Sequence, residues 1–155
     1  AMYETMRSGD QIKPLRYLAL GQRRAGDAAA ALETIDRAWQ FCGDENANLS
    51  FCAVVRANRA GILASQGKDR AAEALAEADA AIEDLRTFKS YGQPEMAQAF
   101  ESKALALSLL GRQAEAEALQ GEALAIVVKA YGSEHFESRR VQANLDKLRQ
   151  ASARP

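Results

Sequence analysis

Apolar residues recur at helical spacing along nearly the whole chain, and no segment alternates apolar and polar positions as a strand does. The pattern predicts seven helices, near residues 12–25, 27–42, 46–66, 69–89, 94–110, 112–130 and 134–150. Pro14 and Pro94 are expected in first turns, where proline is tolerated. The fold class is therefore predicted to be all-α.

Glycines interrupt the helical pattern at a regular interval. Gly26, Gly67 and Gly111 each follow an apolar helical stretch, and they are 41 and 44 residues apart. A glycine just past a helix can adopt the left-handed conformation that ends it. Asp27 and Asp69 are then expected to cap the helices that follow, because a carboxylate accepts hydrogen bonds from free backbone N–H groups.

A second series of residues repeats with the same period. Ala38, Ala81 and Ala123 are 43 and 42 residues apart. Repeats of about this length are typical of solenoids of helix pairs. We therefore expect a single domain over residues 1–155, which is also compatible with being a piece of a longer protein. It would consist of repeats at about 12–42, 46–89 and 94–131 and a capping helix at 134–150.

Composition excludes some function classes. The chain has 155 residues and a net charge of −1, so no overall basic field favours nucleic acid. Its apolar runs are far shorter than the roughly 20 residues that cross a bilayer. Hydrophobic residues make up 48% of the chain but aromatic residues only 6%, because much of the apolar content is alanine. Without a recognisable signal peptide, the expected location is cytoplasmic.

Five positions recur in each repeat. They hold alanine, glycine, alanine, a residue that is apolar in the first two repeats, and alanine. They are Ala19, Gly26, Ala31, Ile35 and Ala38; then Ala60, Gly67, Ala74, Ala78 and Ala81; then Ala104, Gly111, Ala116, Gln120 and Ala123. In these positions the chain resembles tetratricopeptide repeats, specifically the longer kind found in kinesin light chains. Gln22, Arg59 and Lys103 depart from the apolar residues usual in that family.

The resemblance implies a right-handed solenoid whose concave groove binds a peptide or a partner helix. The groove residues that it implies are Lys13, Arg16, Tyr17, Arg23, Asn58, Gln98, Glu101, Ser102, Arg140 and Asn144. The residues that it implies for the groove floor are Val54, Ala57, Gly61, Ala64, Gln98, Glu101, Leu105 and Leu109. The basic residues of the first helix are explained either by a solvated helix face or by a basic groove end that would suit an acidic partner.

Catalytic and metal chemistry have little support in the residues. His135 is the only histidine and is expected to cap or pack rather than to act as a base or a metal ligand. We expect no enzyme activity, no cofactor and no metal. The carboxylates of the fourth helix are expected to form a solvated outer face; they are Glu73, Glu77, Asp79, Glu83 and Asp84.

Two points stay open on the sequence alone. Cys42 and Cys52 match no metal or redox motif, so reduced thiols are favoured, although a disulfide is possible because the two residues flank a predicted turn. The favoured function is a non-catalytic module that binds a protein or peptide. The alternatives are a structural role with self-association through exposed terminal repeat faces, and a regulatory domain that senses a ligand.

Overall fold

A computed structural model of the chain describes residues 8–43, 47–88 and 93–154. These residues form an all-α structure without a strand. The helices are α1 (Ser8–Arg24), α2 (Ala28–Gln40), α3 (Leu49–Ser65), α4 (Ala71–Thr87), α5 (Pro94–Leu109), α6 (Gln113–Tyr131) and α7 (Phe136–Ser152). Short 3-10 turns at Phe41–Gly43 and Lys68–Arg70 follow α2 and precede α4. The seven predicted helices are confirmed.

The helices form two layers of a solenoid. Each helix packs against the next one along the chain, and α3 also packs against α1 and α5. Side-chain bonds between Glu101 and Arg140 then connect α5 to α7. The odd-numbered helices thus lie side by side in one layer, with α2, α4 and α6 packed on them. This is the predicted array of three helix pairs followed by a single helix.

Small residues at the repeated positions let the helices approach closely. Apart from the glycines, all twelve repeated positions are buried, each with no more than 2% of its surface exposed. In the first pair, Ala31, Ile35 and Ala38 of α2 pack against Ile12 and Ala19 of α1. Alanine combines the highest helix propensity with the smallest apolar side chain, which explains why it dominates these contacts.

The helix ends confirm most of the predicted signals. Gly26, Gly67 and Gly111 have φ angles of 88°, 105° and 80°, the left-handed region that favours glycine. Asp27 caps α2 by accepting a hydrogen bond from the Ala30 N–H at 3.0 Å. The prediction for Asp69 is wrong, because it lies inside the 3-10 turn and α4 begins at Ala71 without a side-chain cap.

Pro14 is not in a first turn, since α1 begins at Ser8 and Pro14 lies inside the helix. Because proline lacks a backbone N–H, the Asp10 carbonyl has no helical hydrogen bond from residue 14. Asp10 is exposed near the start of the helix, so water can bind this carbonyl instead. Pro94 does open α5, as predicted. The segment between the fourth and fifth predicted helices, residues 90–93, falls almost entirely outside the described residues.

The acidic residues of α4 are not simply a solvated face. Glu77 and Asp84 bind Arg56 of α3 at 3.4 and 3.3 Å. Asp79 binds Lys103 of α5 at 2.6 Å, and Glu77 also lies 3.5 Å from Arg59. The sequence-based expectation of a solvated face is therefore wrong for Glu77 and Asp84, which are half-buried and paired, while Asp79 is exposed but also paired. The pairs also explain how Arg59 and Lys103 replace leucine.

Cys42 and Cys52 form a disulfide, so the favoured prediction of reduced thiols is wrong. Their Cα atoms lie 5.8 Å apart, within the ordinary range for a disulfide. The bond joins the turn after α2 to the first part of α3, where Cys52 is buried. Sequence spacing alone could not predict the bond, because the distance between the two residues depends on how α3 folds back on α2.

None of the helices described is long and apolar enough to span a membrane.

Candidate binding groove

A groove of about 850 Å³ runs across the layer of odd-numbered helices. One wall is the second half of α1, beginning at Arg16, and the opposite wall is α7 together with the last part of α6. Side chains of α3 and α5 lie between the walls, among them Asn58, Gln98 and Ser102. The groove is thus lined by residues of all three helix pairs and of α7, so no single helix pair forms it.

A buried amide cluster fixes Arg16 on the α1 wall. The Arg16 Nε donates to Asn58 Oδ1 at 2.6 Å, and its Nη2 donates to Gln98 Oε1 at 3.2 Å. Asn58 Nδ2 donates to the same Gln98 oxygen at 3.2 Å. The guanidinium also lies 5.2 Å from the centre of the Tyr17 ring and 5.7 Å from that of Phe51. Arg16 is only 8% exposed, yet no carboxylate of the described residues pairs with it.

Arg23 crosses from α1 over α3. Its Nε donates to Ser65 Oγ at 2.7 Å. A Cβ atom on Gly61 would lie 2.7 Å from Arg23 Nη1 and 2.8 Å from Ser102 Oγ, both closer than real contacts allow. Gly61 therefore makes room for the guanidinium. Among the residues that the structure describes, no carboxylate lies within ion-pair distance of Arg23 or Arg24.

The α7 wall has the opposite arrangement, because its arginine is paired. Arg140 donates both Nη groups to Glu101, at 2.8 and 3.1 Å, and also binds Glu137 at 2.9 Å. Gln120 and Asn144 donate to Glu101 Oε2 as well, at 3.3 and 3.4 Å. Both oxygens of the Glu101 carboxylate are thus occupied, and its charge is shared among three partners.

Burial and pairing shift the pKa values of these arginines in different directions. Burial lowers the pKa of Arg16 and of Arg23, because leaving water disfavours the charged form. Burial also acts to lower the pKa of Arg140, but the hydrogen bonds and charges of Glu101 and Glu137 outweigh it and raise that pKa. The neighbouring Arg24 and Arg140 add to the lowering at Arg23, and Glu101 opposes it.

The groove is positive although the chain as a whole is slightly acidic. Its lining contains five basic residues against two acidic ones, namely Arg16, Arg23, Arg24, Arg140 and Lys147 against Glu101 and Glu137. The whole chain has a net charge of −1. Both acids bind Arg140, so the excess of positive charge lies toward α1.

Nine of the ten residues predicted for the groove line it; whether they bind a partner stays a prediction. Lys13 does not line it, because it is exposed before the groove begins at Arg16. Of the predicted floor, Gln98, Glu101 and Leu105 line the groove, whereas the predicted residues of α3 do not. Val54, Ala57 and Ala64 are buried in the core, Arg23 covers Gly61, and Leu109 packs against a core cluster.

The sequence did not point to several lining residues at the α7 end. They are Gln120, Val127, Tyr131, Glu137, Lys147 and Leu148. Three of them belong to α6, the second helix of its pair, whereas every residue predicted for the groove lies on α1, α3, α5 or α7. Helix α6 reaches the groove where Gln120 donates to Glu101 of α5 and to the Val141 carbonyl of α7. No local signal in the sequence marks these residues, because their place in the groove depends on how α7 packs on α6.

His135 caps α7, as predicted, because its Nδ1 accepts a hydrogen bond from the Glu137 N–H at 3.2 Å. Its ring stacks on Tyr131 with centroids 4.6 Å apart, and Phe136 lies at the same centroid distance. Within the described ranges, no group of three or more His, Cys, Asp or Glu side chains could hold a metal ion. The histidine therefore has a structural explanation.

Comparison with known proteins agrees with this geometry. Residues 96–137 match the family model of the tetratricopeptide repeat. The crystal structure of a tetratricopeptide-like protein from Chlorobium tepidum TLS is 25% identical to this chain, with a TM-score of 0.74. The match covers 96% of this chain and 100% of that one. No curated protein matches the chain.

The fold thus defines an α-helical repeat scaffold, a class that typically mediates protein–protein interaction. Within this class, the resemblance to the tetratricopeptide repeat family is confirmed, with the match to the family model lying over α5 and α6 and extending into the start of α7. The finer resemblance to kinesin light chains stays a prediction.

Proposed function

We propose that the groove binds an extended acidic segment of a partner protein. One observation carries this proposal: the basic side chains of the α1 wall have no carboxylate partner among the described residues, whereas the other half-buried bases that the structure describes are paired. An acidic segment would supply the missing charge. Complementary charge also speeds encounter and discriminates against basic partners.

Charge supports the proposal better than the amide side chains do. Both polar atoms of Asn58 are already used, the oxygen by Arg16 and the nitrogen by Gln98. Asn144 donates to Glu101. Both asparagines were predicted to lie in the groove, but binding a peptide backbone would require them to break these bonds. The guanidinium groups of Arg23 and Arg24 are available without such a loss.

A peptide-display selection on the purified chain tests the proposal. The counter-selection uses Arg24→Glu, because Arg24 lines the groove and is exposed, so the variant should fold. Arg37→Glu is the matched control, since Arg37 is exposed on α2 outside the groove. We expect enriched acidic peptides that bind the wild type and the control but not Arg24→Glu. Enrichment of peptides without acidic residues, or equal binding to all three proteins, would contradict the proposal.

Self-association is a second candidate, because α1 exposes apolar side chains. Tyr17 is 56% exposed and Leu18 is 51% exposed. Exposed apolar side chains of this kind can pack on another copy of the chain. Light scattering over a wide concentration range separates the two candidates: a constant monomer mass counts against self-association and leaves the groove proposal intact.

The cytoplasmic location predicted from the sequence stays a prediction. The disulfide bears on it, because disulfides persist mainly in oxidising compartments. Thiol labelling of the protein in freshly lysed cells, before and after reduction, measures which state the chain has in its own compartment.

A further inference from the structure

The guanidinium of Arg23 is held in place but not neutralised. Its single hydrogen bond in the described structure goes from Nε to Ser65 Oγ, at 2.7 Å. The Nη1 and Nη2 groups have no acceptor among the described residues. An arginine whose outer edge is free offers two parallel N–H groups, the geometry that fits a carboxylate.

Gly61 explains why Arg23 can occupy this position. Glycine is the least helix-favouring residue after proline, yet it lies in the interior of α3. A Cβ atom there would collide with Arg23 Nη1 at 2.7 Å and with Ser102 Oγ at 2.8 Å. Glycine thus makes α3 locally less stable but leaves space between α3 and α5, and the guanidinium of Arg23 fills that space.

The surroundings of Arg23 favour an incoming anion. Arg24 and Arg140 line the same groove, so their positive charges add to that of Arg23. The acid lining the groove between these residues, Glu101, has both oxygens bound to Arg140. A carboxylate entering the groove would therefore meet guanidinium groups without having to displace a resident acid from Arg23.

We propose that Arg23 anchors a carboxylate subsite in the groove and that Gly61 is required to form it. The subsite rests on the proposed function, since it takes one carboxylate of the acidic segment. That carboxylate is either an Asp or Glu side chain or the free C-terminus of the partner. Arg23 is then the residue that sets the position of the segment along the groove.

Nuclear magnetic resonance of the arginine Nε–H groups tests the subsite without a peptide. The probe is glutarate, titrated at constant ionic strength into the full chain. We expect a saturable shift of the Arg23 Nε–H resonance, which is assigned by its absence in Arg23→Gln. The resonance of Arg37, exposed on α2, is the control for general salt effects. No saturation at Arg23, or an equal shift at Arg37, would overturn the proposal.

Two substitutions separate charge from position. Gly61→Ala keeps every charge but places a methyl group 2.7 Å from Arg23 Nη1, which must then move, so we expect about fivefold weaker glutarate binding in a folded protein. Arg23→Lys keeps the charge but loses the planar fork, and we expect a similar weakening. Circular dichroism verifies that both variants fold. Unchanged glutarate affinity in folded Gly61→Ala would overturn the role of Gly61.

Fluorescence anisotropy with labelled peptides identifies the source of the carboxylate and separates the two proposals. A Glu-containing peptide is compared with its Gln counterpart, each with a free or an amidated C-terminus. We expect Arg23→Gln to weaken the Glu peptide about tenfold, since charge-assisted hydrogen bonds are lost. Peptide binding that is equal for wild type and Arg23→Gln would refute the subsite but not the groove. Glutarate binding without any peptide binding would refute the groove function but not the subsite.

Discussion

Arg23 and Arg140 line the same groove from opposite walls, but they differ in their partners. Arg140 makes hydrogen bonds to two carboxylates, Glu101 and Glu137. Arg23 makes one hydrogen bond to a serine hydroxyl. The pKa of Arg140 is raised, and that of Arg23 is lowered by burial. The two arginines therefore represent a neutralised end and a charged end of one groove.

The difference shows which arginines stabilise the fold and which are available for binding. A partly buried cation without a counter-ion loses hydration, and an anionic partner can offset that loss. A paired arginine such as Arg140 has already gained its partner. The two ends also differ in what holds them: a disulfide and a buried amide cluster at α1, and ion pairs between α5 and α7.

The largest effect is expected from removing the covalent bond near the α1 end. Replacing both cysteines, as Cys42→Ala with Cys52→Ala, should lower the free energy of unfolding by about 3 kcal/mol, because a bond closing a loop of this size restricts the unfolded chain. Urea unfolding followed by the fluorescence of Trp39 measures this change.

A reducing agent provides the matched control for the disulfide. It should lower the urea midpoint of the wild type and leave that of the double cysteine variant unchanged. If the wild-type midpoint does not respond to reduction, the bond contributes nothing to stability, and the α1 end would depend on packing and amide bonds alone.

A smaller effect is expected from breaking the ionic support of the α7 end. Glu101→Gln should cost about 2 kcal/mol, because Arg140 loses one of its two carboxylates in a half-buried site where Gln120 and Asn144 also bind. Denaturant unfolding measures the loss. Glu122→Gln, at an exposed position of α6, is the control and should change stability by less than about 0.5 kcal/mol.

The smallest effect is expected where arginine replaces an apolar residue of the repeat. Arg59 binds Asp36 at 2.6 Å and Glu77 at 3.5 Å, but these carboxylates are 43% and 22% exposed. Asp36 stays partly solvated, Glu77 keeps its bond to Arg56, and leucine adds apolar contact, so Arg59→Leu should change the free energy of unfolding by less than about 1 kcal/mol. A loss well above that value would show that the α3–α4 ion pairs stabilise the repeat strongly.

The fold was largely predictable from the sequence because its signals are local and periodic. Gly26, Gly67 and Gly111 end helices one period apart, and the alanines between them fill the contacts between helices. Asp69 shows the limit of local reasoning: a short 3-10 turn moved the start of α4 by two residues. Boundaries of this kind depend on packing as well as on the capping residue.

The location of the groove was predictable from the sequence, but the bonds among its side chains were not. Arg16 and Asn58 were expected to face a partner, and instead they bind each other across 42 residues of sequence. The pairing of Arg140 with Glu101 and the bond between Cys42 and Cys52 likewise depend on how the helices stack. Side chains that are far apart in the sequence meet through tertiary packing, which a periodic pattern does not contain.

The central claim is that the unpaired arginines of α1 make the groove a site for acidic segments. The most direct measurement is the dissociation constant of a labelled acidic peptide for the wild type, Arg24→Glu and Arg37→Glu, at low and moderate salt. We predict at least about tenfold weaker binding for Arg24→Glu alone, and a loss of affinity with salt in the wild type. Equal affinities for Arg24→Glu and Arg37→Glu would contradict the claim.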